Sequence, residues 1–186
     1  MTTFVALLRG INVGGHNRIA MADLRDVVAD LGHRDVATYV GSGNVVLTSD
    51  RTDGEQLGSE LADAVRERLG VAPAVLVRPA AELEEVVAAN PYPGEPDPKK
   101  VHAVFLPAPP DDDARRALAT ALARAADRGS RDEAQVVGRV LYLHTPDGFG
   151  RSVLADLLAR GAGSSGTARN WATVTKLLEM CRTLGG

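Results

Sequence analysis

The first 79 residues switch between two hydrophobic periods, and the order of the switches leaves few folds open. Residues 3–8 (TFVALL) are a short apolar run stopped by glycine, the pattern of a buried strand. Residues 21–31 place Met21, Leu24, Val27, Val28 and Leu31 at helical spacing, and Gly32 ends the pattern. Residues 35–40 (DVATYV) alternate as a strand, Gly41-Ser42-Gly43 turns the chain, and residues 44–48 (NVVLT) return it. A second helix over 55–69 carries Leu57, Leu61, Val65 and Leu69 on one stripe. A fourth strand, 74–78 (AVLVR), closes at Pro79. The order βαββαβ is the ferredoxin-like split motif. Connection rules then predict an antiparallel sheet of order 4-1-3-2 with two helices on one face.

The rest of the chain reads as a second α+β unit. A short helix over 80–89 ends at Asn90-Pro91, and residues 90–98 hold four prolines and a glycine, a rigid, irregular connection. Strand 101–106, helix 111–127, strand 133–137, a Gly138-Arg139 turn suited to a type II′ hairpin, and strand 140–144 follow. Helices near 151–160 and 168–183 finish the chain. The expected fold class is therefore α+β. A ferredoxin-like βαββαβ unit covers residues 1–79. A smaller unit, residues 80–186, has a βαββα core and an added C-terminal helix. There is no strict sequence repeat between the halves. Each unit alone would have a small core, so the two are expected to pack together.

Composition narrows the function classes. At about 100–200 residues per domain, 186 residues allow one domain or two small ones. With 45% hydrophobic and 24% charged residues the chain is of ordinary globular make-up, not a disordered tail or a fibre. No apolar run approaches the roughly 20 residues of a membrane span, so no membrane partner is expected. A net charge of −3 argues against wrapping a nucleic-acid backbone. The start, MTTFVALLRGINVGG, has too short an apolar stretch and no basic leader for a signal peptide, so the cytoplasm is expected. The single cysteine, Cys181, sits in an apolar-striped helix and reads as a buried structural thiol.

Chemistry-bearing residues concentrate in two places. His16, His33, His102 and His144 show no ligand spacing and no cysteine cluster joins them, so no metal and no cofactor are expected. Each histidine reads as structural or exposed. The glycine-rich loop Arg9-Gly10-Ile11-Asn12-Val13-Gly14-Gly15 leads from a strand to a helix, but it matches neither the Walker pattern nor the dinucleotide fingerprint. On spacing alone it is a flexible loop needing positive φ at Gly14 or Gly15. The predicted topology adds more. Strands one and two run parallel, so the end of strand one meets the two-three turn at one sheet edge. That edge gathers Arg9, Asn12, Gly14 and Gly15 with Ser42, Gly43 and Asn44, beside the start of the first helix. Donors outnumber acceptors there, which suits an anion. It offers no general base except His16. The second place is Gly166–Thr173, where Thr167 reads as the N-cap of the last helix and Trp171 as a core anchor. Arg169 and Asn170 would stand at that helix end.

These motifs carry a resemblance. LLRGINVGG at 7–15, Met21 with Leu24, TYVGSGNVV at 38–46, Asn90-Pro91-Tyr92 and TARNWATVTKLLEM at 167–180 are similar to the bacterial domain-of-unknown-function 1697 family. The resemblance implies two small α+β units, the first ferredoxin-like, and brings no settled activity. It also implies roles for the recurrent polar residues Arg9, Asn12, Ser42, Asn44, Arg169 and Asn170. Gly41 stands where the family often has Gln, so no side-chain role carries over to that position. The leading expectation is a soluble module binding an anionic small molecule, a nucleotide or a metabolite phosphate, at the first sheet edge. An enzyme of transferase type using the same edge is the alternative, weakened by the missing acid–base pair. RNA binding ranks third, because Phe4 reads as buried and only Tyr39 stands on the later strands of the first unit.

Overall fold

The computed structural model describes residues 1–161 and 165–184. It is an α+β structure with two four-stranded antiparallel sheets and six α-helices among the described residues. Contacts divide the chain into two units. One is Met1–Glu85 together with the chain from Thr175 onward, and the other is Val86–Val174. The division therefore falls within helices.

In the first unit, β1 (Thr2–Arg9), β2 (Arg34–Tyr39), β3 (Asn44–Ser49) and β4 (Ala74–Pro79) form a sheet of order β2-β3-β1-β4. This is the 4-1-3-2 order expected from the hydrophobic pattern. β1 is central and buried from Phe4 to Leu8, as a strand flanked on both sides must be. Helices α1 (Met21–Asp30) and α2 (Gly54–Leu69) place Leu24, Val27, Val28, Leu57, Leu61 and Val65 against Phe4, Ala6 and Leu8. Asp53 caps α2 by accepting from the N–H groups of Glu55 and Gln56, and Gly70 ends it in a left-handed conformation. Helix α3 (Ala80–Ala88) begins directly after β4.

In the second unit, β5 (Val101–Phe105), β6 (Glu133–Val137), β7 (Val140–His144) and β8 (Thr167–Asn170) form a sheet of order β6-β7-β5-β8. Helices α4 (Asp112–Asp127) and α5 (Val153–Ala159) cover one face through a core that includes Val104, Leu141, Leu143, Ala125, Leu154 and Leu158. Here the structure corrects the sequence reading. Thr167 does not cap a helix. Thr167–Asn170 is a strand paired antiparallel with β5, and α6 (Trp171–Leu184) starts only after it. Asn170 is the capping residue, its Oδ1 accepting from Thr173 N–H at 2.9 Å. Trp171 is partly buried, its ring centroid 6.3 Å from that of Tyr142.

With β8 in place, both units have the order βαββαβα and the same strand permutation. The register extends the correspondence to single residues. Phe4 lies opposite Leu47 and Pro79, and His102 lies opposite Leu143 and Asn170. Val5 lies opposite Arg78, and Ala103 lies opposite Arg169. Both arginines donate from Nη1 to the carbonyl of the preceding residue, Val77 at 3.0 Å and Ala168 at 2.9 Å.

Candidate functional site

The first sheet edge assembles as the topology predicts. Arg9 closes β1 half-buried, and the adjacent Leu8 N–H donates to Gly43 O at 2.8 Å. Asn12 bridges the β1–α1 loop to the β2–β3 turn. Its Nδ2 donates to Ile19 O at 3.0 Å and to Gly41 O at 2.7 Å, and its Oδ1 accepts from Ile19 N–H at 2.8 Å. Asn44 is fully buried, with Nδ2 donating to Tyr39 O at 2.9 Å and to Ser42 Oγ at 3.0 Å. Arg9, Asn12, Ser42 and Asn44 thus come together at one end of the sheet.

Their chemistry there differs from the expectation. Both N–H groups of the Asn12 amide are taken up by backbone carbonyls, and the Asn44 amide is turned inward. These two side chains hold the loops together and do not present donors to solvent. Gly14 (φ 58°) and Gly15 (φ 81°) occupy the two central positions of a tight turn closed by His16 N–H to Val13 O at 3.0 Å. Two successive left-handed residues are what a type I′ turn requires. This accounts for the glycines without a phosphate. Gly43 is fixed doubly, with φ at 80° and a hypothetical Cβ only 2.8 Å from Ile11 Cδ1 and Leu8 Cβ. Val40, at φ 49° and 51% exposed, is a β-branched residue held in a left-handed conformation at the same turn.

A cleft of about 570 Å³ lies in the second unit. Lys99, Lys100, His102, Phe149, Arg151 and Asn170 line it. Strand alternation separates the two polar residues of β8. Asn170 falls on the His102 side and lines the cleft, while Arg169 takes the opposite face with Ala103 and Tyr142. Burial lowers the Arg169 pKa to about 10.

His102 is the unusual member. It is 7% exposed, and its Nδ1 is buried without a hydrogen-bond partner among the described residues. Burial pulls its pKa down to about 4, so the ring is neutral near pH 7. Its ring stacks on Phe149 with centroids 4.2 Å apart and planes at 29°. Phe149 itself is 42% exposed, in a single turn of 3₁₀-helix, Phe149–Arg151. Two carboxylates also line the cleft. Asp147 is ion-paired with Arg131, which holds its pKa below the usual carboxylate range. Asp97 accepts from Lys99 N–H at 2.9 Å. The three cations therefore exceed the two acids, one of which is already neutralised.

The sequence reading named Asn170 as a candidate at the start of the last helix, not in this cleft, and gave no site role to His102, Phe149, Lys99, Lys100 or Arg151. The signal was present. In VHAVFL, His102 is the one polar side chain of an otherwise apolar strand, directly after Lys99-Lys100. Among the described residues no group of three or more His, Cys, Asp or Glu could hold a metal ion, and no helix is long and apolar enough to cross a membrane.

These features define an α+β protein built from two modules of one topology, the second bearing a basic cleft. The chain belongs to the family described as protein of unknown function (DUF1697), whose model matches residues 1–142. No curated protein matches it. Among solved structures, a conserved bacterial protein from Streptococcus pneumoniae is similar at a TM-score of 0.73 and 22% identity, over 97% of this chain and 98% of that one. That likeness is one of fold. An unknown protein from Galdieria sulphuraria aligns over 98% of this chain and 91% of its own at 12% identity, with a TM-score of 0.28.

Proposed function

We propose that the protein binds an anionic small molecule in the cleft of its second unit. The observation that carries this reading is His102. A nitrogen buried without a partner costs about 1–3 kcal/mol, and such a group in a native structure calls for an explanation, a functional role or a bound water or ion among them. Lys99, Lys100 and Arg151 around it supply the positive charge an anionic group needs. The volume falls within the range of about 300–1,000 Å³ common for small-molecule sites. The first sheet edge supports binding less well, because Asn12 and Asn44 spend their amides on the loops. We also read each unit as ferredoxin-like, on the strand permutation the two sheets share. We also read the protein as cytoplasmic.

Calorimetric titration with inorganic pyrophosphate tests the site. The wild type should bind. Lys99→Gln/Lys100→Gln/Arg151→Gln should lose at least 10-fold in affinity, and Arg9→Gln should change it less than 2-fold. If Arg9→Gln abolishes binding while the triple variant retains it, the site is the first sheet edge. No binding to the wild type rejects the reading.

A further inference from the structure

We infer that the cleft takes a phosphorylated aromatic ligand, a nucleoside monophosphate in chemical class, with its base stacked on Phe149. This inference rests on the proposed anion site and goes on to name the other end of the ligand. Three observations carry it.

The first is Phe149. An aromatic side chain 42% exposed on a cleft wall is apolar surface that folding left uncovered. One face of its ring is taken by His102 at 4.2 Å. The stack holds the ring in one plane, which makes it a platform before any ligand arrives.

The second is the contrast between the two modules. At the position of His102 the first unit has Phe4, which is 2% exposed and belongs to its core. At the position of Asn170 the first unit has Pro79. The same fold therefore tolerates an apolar pair at this place. The second unit instead has an imidazole and a carboxamide, both on the cleft wall. Helix α6 uses Asn170 as its cap, but folding alone does not ask for the imidazole. Recognition of polar atoms on a base edge or a sugar does.

The third is the arrangement of charge. Lys99 and Lys100 precede β5, and Arg151 lies two residues beyond Phe149. A cation thus follows closely on the aromatic platform, and two more stand at the start of the strand that carries His102. A ligand with one planar and one anionic end matches both. Free phosphate would use only the cations.

The test compares AMP, GMP, CMP and UMP with ribose 5-phosphate by calorimetric titration. At least one nucleotide should bind roughly 5- to 150-fold more tightly than ribose 5-phosphate, the factor a single base–aromatic stack supplies. Phe149→Leu should bring that nucleotide down to the ribose 5-phosphate level. Phe149→Tyr should keep the preference, which separates loss of the ring from loss of folding. If all four nucleotides bind no better than ribose 5-phosphate, the aromatic part fails and the anion site stands. If the preference survives in Phe149→Leu, Phe149 is not the platform. If neither ribose 5-phosphate nor any nucleotide binds, both readings fall.

Discussion

His102 occupies in the second sheet the position that Phe4 holds in the first, each facing a leucine of the neighbouring strand, Leu143 and Leu47. One is a core aromatic and the other a buried imidazole with an unpartnered nitrogen. His102→Phe should therefore stabilise the fold, by about 1–3 kcal/mol from removal of the orphaned polar atom. The same change should weaken phosphate-ester binding. Denaturant melts and calorimetry on one variant measure both.

The histidine also sets a pH dependence. Its pKa is about 4 when folded, against the ordinary value of 6.5, so the unfolded chain takes up the proton first. Stability present above pH 6.5 should fall as pH drops from about 6.5 to 4 and level off below. The loss from this group is at most about 3.5 kcal/mol. Burial lowers the His33 pKa too, with the same sign. The difference between wild type and His102→Phe isolates the His102 part. Parallel melting curves for the two proteins across this range would remove the assignment.

Asn12 should behave as a structural residue. Replacing it with Ala removes three hydrogen bonds that join the β1–α1 loop to the β2–β3 turn. We expect a loss of about 2–3 kcal/mol, with the cleft's affinity for pyrophosphate unchanged. Urea denaturation and calorimetry check the two halves of this statement.

Two glycines of one turn should respond very unequally. At Gly43 a new Cβ meets Ile11 and Leu8 at 2.8 Å and φ is positive, whereas at Gly41 nothing lies within 4 Å. Gly43→Ala should cost about 2–4 kcal/mol, and Gly41→Ala less than about 0.5 kcal/mol. Equal effects would mean the turn relaxes freely.

Cys181 should resist thiol reagents. It is 2% exposed, and burial pushes its pKa up to about 11. Labelling by a water-soluble disulfide should be slow in buffer and fast in denaturant. Rapid labelling of the native protein would place the thiol at the surface.

How much of this was legible beforehand depended on the local signal. The first four strands are apolar runs bounded by Gly or Pro, and their order followed from connection rules. β8 was hidden because Thr167-Ala168-Arg169-Asn170 has no apolar alternation and runs directly into a helical stripe. Pairing with β5 makes it a strand, and that partner lies more than 60 residues away. The convergence of Asn12 with the Ser42 turn could be read from topology. That Asn12 turns its amide inward could not, since an inward and an outward asparagine look alike in sequence. His102 and Phe149 are far apart in the chain, and only the folded sheet brings their rings together.

If the cleft binds as proposed, two modules of one topology divide the labour of the chain. Random substitution should sort by half. Changes among Phe4, Leu47 and their neighbours should appear as lost soluble yield. Changes at His102 and Phe149 should appear as lost recognition at normal or higher yield. A mutational map scored for abundance alone would therefore find the first half constrained and the cleft permissive, and the most informative residues would be those it marks as dispensable.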